Sequence, residues 1–313
     1  MNIKLFSKFN LRGISSANRI VLSPLCMYSA IDGVPNDWHF SHLSTYARAG
    51  VGIIFTEATA VQEIGRITPY CCGIWNDQQA EAYEKIATFI KKSGSIPAIQ
   101  LAHSGRKGSA KQPWKGGTPL QKDVEDEKKI SWHTIAPSAI PVSEGWQTPT
   151  EMNADDIDKL IKDYVNAAKR AISIGFQVIE IHAAHGYLLH SFMSPISNKR
   201  TDKYGGNHKG RIKLLLDIVE AIRKEIPEKT PIFCRISAID GIKDGWTIQD
   251  SVVLSKILSE KGVDVIDCSS GGIIGRPRFA ISEDGEPLKN HTDRGLGFQV
   301  PLADEIKKKV FIV

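Results

Sequence analysis

The chain has 313 residues, 42% hydrophobic and 24% charged, enough apolar material for a sizeable core and unlike a disordered chain. Its 40 basic and 35 acidic residues leave a net charge of +5 without a dense cluster, which argues against a nucleic-acid surface and leaves room for a small anionic ligand. Five cysteines (Cys26, Cys71, Cys72, Cys234 and Cys268) form no CxxC pair, so reduced thiols in a cytosol fit better than a disulfide framework or a zinc site.

The opening MNIKLFSKFNLRG lacks the apolar stretch of a secretory signal, and no apolar run reaches the roughly 20 residues that span a bilayer. A cytoplasmic protein without membrane association is expected. The first β-branched run, RIVLS (19–23), leads into SPLCMY, which sets Cys26 and Tyr28 at a strand end. That cysteine is either a small buried hydrophobe or a reactive group. A helical stretch at 41–49 precedes the strand VGIIFTEAT (51–59); a helix over 77–93, stopped by Gly94, precedes PAIQLAH (97–103). Gln100 in that run takes an inward position where a core normally holds an aliphatic residue.

Residues 104–150, rich in Lys, Gly and Pro and holding Trp114, Trp132 and Trp146, form a long excursion that reads as a cap over the barrel mouth. A helix over 153–174 starts at Asn153 and stops at Gly175, before the strand QVIEIHA (177–183). The polar, turn-rich segment 197–211 reads as a solvated loop. A helix over 209–226, the strand TPIFCRIS (230–237) with Arg235 facing inward, a helix over 247–261 started by Thr247, and the strand VDVIDCS (263–269) follow. A helix over 299–309 and a seventh strand, VFIV (310–313), end the chain.

Strand, helix, strand at this spacing predicts parallel strands with right-handed crossovers, in a barrel or an open doubly wound sheet. A glycine-rich dinucleotide fingerprint is missing and polar residues recur where strands end, so a TIM-type (β/α)8 barrel is favoured, one α/β domain over 1–313 that stops at strand 7. Such an end leaves open edges, and the carboxyl-terminal part of the barrel is expected to be absent.

The stretch IEIHAAHGYLLH (179–190) admits three readings. Its histidines are satisfied by local backbone, or His182, His185 and His190 bind a metal, although Glu180 points opposite to Ile179 and Ile181. In the third, His182 and His185 donate to one substrate oxygen while Tyr187 delivers a proton, which requires a separate electron source. Arg235 inside a barrel needs an anion or a polar ring, or else an ion pair with a neighbour such as Glu57 or Asp240. Donors at six strand ends suggest a flat polar heterocycle across the mouth, for which flavin mononucleotide is suited. The competing enzyme class is a metal-dependent barrel hydrolase using His182, His185 and Cys26.

The strings NRIVLSPLCMYSA, GVGIIFTEATAV, IQLAHSGRK, GFQVIEIHAAHGYLLHSFMSPISNKRTDKYGG, RISAIDG and CSSGG resemble the old yellow enzyme family of flavin-dependent ene reductases, in its thermophilic-like class, over residues from about 3 to 310. The resemblance implies FMN as cofactor and NADPH or NADH as hydride donor, in a ping-pong reduction of the C=C bond of α,β-unsaturated carbonyl compounds. It also implies a cofactor lining from Ser23, Pro24, Leu25, Cys26, Ala60, Gln100 and Arg235, with Cys26 tuning the redox potential. His182 and His185 would clamp the substrate carbonyl, Tyr187 would protonate the α-carbon, and Tyr28 would contact the substrate. No metal is implied, and related barrels form dimers or tetramers. The wording GGNHKGRIK departs from the family's GGS.ENR. Family loops that hold the flavin phosphate, after the seventh and eighth strands, have no counterpart here. An interrupted, non-catalytic barrel that retains flavin weakly, or one closed by a partner subunit, is the corresponding expectation.

Overall fold

A computed structural model of the chain describes residues 3–274, 296–310 and 312. An antiparallel hairpin of β1 (Phe9–Leu11) and β2 (Ile14–Ser16) precedes β3 (Val21–Leu22), α1 (Asp37–Arg48), β4 (Ile53–Ala60), α2 (Asp77–Lys92) and β5 (Ile96–Ala102). After α3 (Glu125–Lys128), β6 (Ile135–Ala136) and β7 (Thr150–Glu151) come α4 (Ala154–Ser173), β8 (Val178–Ala183), α5 (Leu188–Met193) and α6 (His208–Glu225). Then follow β9 (Ile232–Ser237), α7 (Ile248–Glu260), β10 (Val265–Ser269) and α8 (Val300–Lys309).

Strands β3, β4, β5, β8, β9 and β10 lie side by side in that order, every pair parallel. Neighbours along the chain are therefore neighbours in the sheet, as a TIM-type barrel requires. Alternation along each strand divides the apolar residues between two cores. Ile53, Phe55, Ile96, Ala98, Val178 and Phe233 meet inside the curl, with Ile14 of the hairpin packed against them. Ile54, Ile99, Leu101, Ile179, Ile181, Cys234 and Ile236 join the cluster that also contains the helices' apolar faces. Burial on both faces explains why these strands read as continuous apolar runs.

The helices start where side chains satisfy orphan amides. The Asn153 side chain accepts from the Asp156 amide at the head of α4, and the Asp156 carboxylate accepts from the Asn153 amide in return. Thr247 and Asp250 do the same for α7. Helix α1 begins four residues before the expected 41, because Asn36 and His39 form a capping pair of their own. Gly94 and Gly175, at φ +86° and +103°, supply the left-handed turns that end two helices.

Two expectations change. Segment 197–211 is solvated only in part: Lys199, Asp202, Lys203, Asn207 and Lys209 are exposed, but Asn198 is buried and donates to the Phe192 and Tyr204 carbonyls, while Arg200 reaches the Pro137 and Met152 carbonyls. It thereby fastens the parallel pair β6 and β7, inside the 104–150 excursion and at its edge, to the loop before α6. At VFIV (310–313), Val310 and Ile312 are in no strand, while residues 311 and 313 lie outside the described residues. Among the described residues, no helix is long and apolar enough to cross a membrane.

Candidate active site

Above the apolar floor, the inward strand positions turn polar. Pairing register sets Ala58, Gln100 and Glu180 in one row, and His182, Arg235 and Asp267 in the next row toward the carboxyl ends. A register shift between Phe55 and Ala58 brings Ala58 opposite Gln100 and takes Glu57 to His39 of α1, 3.1 Å away. Gln100 Nε2 donates to Glu180 Oε2 at 2.6 Å. Burial and then the Asp267 charge push the Glu180 carboxyl well above the usual range, so it favours its neutral form.

Arg235 lies 3.3 Å from Asp267 through Nε. Its ion-pair partner is thus neither Glu57 nor Asp240: Glu57 is turned toward α1, and Asp240 is taken up by His190, Ser194 and the Trp246 amide. The carboxylate Asp267 is a charged member of this site that strand periodicity did not bring out, whereas alternation already sets Glu180 opposite to Ile179 and Ile181.

The histidine stretch closes β8. His182 Nδ1 accepts from the Ala184 amide, which leaves its proton on Nε2, and that atom lies 3.3 Å from His185 Nδ1. The chain turns at His185 and Gly186, both left-handed at φ +60° and +73°. A non-glycine residue in that region is strained and must be held by its surroundings. Here the His185 amide donates to Ser237 Oγ at 2.9 Å, and Lys107 Nζ donates to the His185 and Gly272 carbonyls at 2.7 and 3.0 Å.

Tyr187 follows as the residue heading α5, its ring edge-on to His182 at 5.1 Å, with Lys107 Nζ 5.2 Å from its centroid. His190 is not available as a metal ligand: Nδ1 accepts from the Gly186 amide and Nε2 faces Asp240 at 2.8 Å. Among the described residues, the three-residue group of His, Cys, Asp or Glu close enough to share an ion is His39, Glu57 and Cys72, which contains none of His182, His185 and Cys26.

Charge and burial set the protonation states. Burial, then His185 and Arg235, holds His182 far below the ordinary imidazole range. Burial, Arg235 and Lys107 bring His185 down to about 3. Both rings are therefore neutral donors at physiological pH. Burial raises the Tyr187 phenol well above its ordinary value and lowers Lys107 to about 8.

From Ser23 to Tyr28 the chain leaves β3 without regular structure. Ser23 and Leu25 are exposed, whereas Pro24, Cys26 and Tyr28 are half-buried. Tyr28 takes φ +51° and meets Trp114 edge-on at 5.9 Å. Cys26 and Tyr28 both contribute to the rise of the Tyr187 phenol, and Arg235 acts on the Cys26 thiol, so the first strand end and the histidine stretch face one site. Burial and then Glu57 push that thiol up, toward the protonated form.

The residue set suits a flat ring with carbonyl and imide edges. Ala58 and Ala60 offer little bulk beside the Gln100 amide, and the buried Arg235 Nε has no hydrogen-bond partner among the described residues. Sequence reasoning gives Lys107, Ser237 and Ser269 no role of their own, although IQLAHSGRK, RISAIDG and CSSGG are among the strings it singles out. All lie at or beyond strand ends, where a lysine or serine ordinarily reads as surface.

Strands in barrel order, with neutral imidazoles and a half-buried arginine at their carboxyl edge, define a TIM-type barrel with a polar site at its mouth. A model of the NADH:flavin oxidoreductase / NADH oxidase family matches residues 4–286. An NADH:flavin oxidoreductase of Gibberella zeae is 43% identical, over 98% of this chain and 74% of its own. An NADPH dehydrogenase of Listeria innocua is 40% identical, over 97% of this chain and 80% of its own. The structure of an old yellow enzyme homologue from Zymomonas mobilis superposes with a TM-score of 0.76 at 26% identity, covering 98% of this chain and 80% of that one. The chain belongs to the NADH:flavin oxidoreductase / NADH oxidase family, the old yellow enzymes, and is an FMN-dependent oxidoreductase that uses a reduced nicotinamide.

Proposed function

We propose that the chain reduces the C=C bond of α,β-unsaturated carbonyl compounds with electrons from NADPH or NADH. The observation that carries this reading is the approach of two neutral imidazoles, His182 Nε2 and His185 Nδ1, to 3.3 Å beside the Tyr187 ring. An imidazole pair this close can swing its N–H groups onto one carbonyl oxygen that gains negative charge as its conjugated β-carbon is attacked. Tyr187, kept protonated by burial, is the proton source for the α-carbon, and Tyr28 flanks the substrate.

FMN held there would supply two-electron hydride chemistry between the nicotinamide and the substrate's β-carbon. The residues that would hold it are Ser23, Pro24, Leu25, Cys26, Ala60, Gln100 and Arg235. Of these, Gln100 presents an amide to a ring edge and Arg235 a positive charge that favours a reduced anionic ring. Ser23 and Leu25, both exposed, would contribute through backbone.

The test is anaerobic turnover of the FMN-loaded chain with NADPH and 2-cyclohexenone. Stoichiometric cyclohexanone is expected, with bleaching of the yellow band by NADPH and its return on adding the enone. Bleaching without return, or NADPH oxidation only with oxygen present, would overturn the enone reading and leave a flavin reductase of another acceptor.

A further inference from the structure

Within the 104–150 excursion, residues 109–120 make a narrow antiparallel ribbon. The Leu120 amide donates to the Ser109 carbonyl at 2.8 Å, Ala110 bridges Pro119, and the Lys111 amide donates to the Thr118 carbonyl at 2.8 Å. Pro113–Lys115 form the tip as a single 3-10 turn, and Gly116 and Gly117, left-handed at φ +97° and +61°, bring the chain back. The foot of the ribbon is fixed. Ser109 and Ala110 are buried, the Ala110 amide donates to the Ile67 carbonyl at 3.0 Å, and Ser109 Oγ accepts from the Trp132 amide at 3.1 Å. The tip, by contrast, holds Trp114 with 64% of its surface exposed.

A single exposed apolar side chain is ordinary on a protein surface. What sets this one apart is its neighbour. The Trp114 ring meets that of Tyr28 at 5.9 Å between centroids and 76° between planes. Tyr28 belongs to the loop leaving β3, is half-buried, and takes φ +51°, a conformation that a non-glycine residue keeps only when its surroundings hold it. Its phenol acts on that of Tyr187, so it looks into the same site as the histidines. Trp114 therefore continues the site outward, beyond Tyr28 and toward solvent.

Two perpendicular rings present a corner. A third flat ring entering it can stack on one member and meet the other edge-on, the two arrangements that aromatic rings prefer. A flexible alkyl chain gains contact area there but neither arrangement. We propose that Trp114 is a specificity-determining residue, which with Tyr28 forms an aromatic corner at the mouth of the site and selects carbonyl substrates that bear a flat aryl group. That the reaction is enone reduction rests on the reading above; the corner's preference for an aryl ketone does not.

The experiment compares the FMN-loaded wild-type chain with Trp114→Ala, Trp114→Leu and Trp114→Phe by two readouts. One is the kcat/KM ratio of benzylideneacetone to 3-decen-2-one, a linear enone of equal carbon number. The other is the Kd of benzylacetone, which has no conjugated C=C bond to reduce, followed without nicotinamide through its perturbation of the oxidised flavin band. Trp114→Ala and Trp114→Leu should lower the ratio and raise the Kd roughly threefold to tenfold, the reach of one aromatic pair. Trp114→Phe, which keeps a ring, should stay near wild type in both. An unchanged ratio or Kd in Trp114→Ala, or wild-type values in Trp114→Leu, overturns the proposal. A raised Kd in Trp114→Ala, in a chain that reduces no enone, would sustain it while removing the enone reading.

Discussion

At the residue scale, the chemistry depends on groups whose charge is suppressed. Tyr187 is held protonated by burial, with Cys26 and Tyr28 acting in the same direction, and its ring stands against His182. A proton donor of this kind acts after substrate has bound. Tyr187→Phe should therefore lower the enone half-reaction roughly 10²–10⁴-fold, the usual reach of general acid catalysis, while the nicotinamide half-reaction keeps its rate. Stopped-flow traces of the two half-reactions separate these effects, and equal losses in both would assign Tyr187 to cofactor placement instead. Lys107 works differently: it touches backbone carbonyls and holds the turn that aims His185.

At the element scale, the site is a contact between two loops, one after β8 and one after β10. An ideal Cβ on Gly186, whose φ is +73°, would lie 2.1 Å from the Gly272 carbonyl oxygen, and backbone there has no room to yield. Gly175, at the end of α4, is also left-handed at φ +103° but borders open space. Both alanine variants should lose roughly 1–2 kcal/mol through the left-handed backbone alone. Gly186→Ala should lose more, and it alone should raise the KM for cyclohexenone. Thermal unfolding paired with steady-state kinetics tests this contrast; an unchanged KM in Gly186→Ala would mean that the loop contact does not aim the histidines.

At the scale of the whole molecule, stability and acidity are linked through the buried histidines. His103 and His185 are lowered to about 3 and His182 lies well below its ordinary value, in each case mainly by burial. An unfolded chain takes up these protons near pH 6.5, whereas the folded chain refuses them, so stability must fall as pH drops below about 6.5. Each such group contributes about 1.4 kcal/mol per pH unit. Glu180 acts in the opposite sense, because its raised carboxyl is protonated in the folded state while an unfolded glutamate is not. The net expectation is roughly two protons' worth, about 3 kcal/mol lost per pH unit between pH 6 and 5. Urea unfolding across that interval measures it, and a flat profile would mean that the histidines are solvated.

By itself the sequence determined the strand and helix succession, because hydrophobic period and capping residues such as Asn153 and Thr247 act locally. It also determined that Gln100, His182 and Arg235 face inward, since alternation along a strand is a property of the strand alone. Tertiary structure decided everything that depends on register between strands. It gave Arg235 to Asp267, moved Glu57 toward α1 through a shifted register, and set Ser269 against His185 across 84 positions of chain. It also made an anchor of the 197–211 segment, whose polar residues read as solvated until Arg200 and Asn198 find backbone carbonyls far away in the chain or across a turn. Local pattern carries no term for such pairings, and the protonation states of His182, His185 and Tyr187 follow from burial that only the assembled barrel creates.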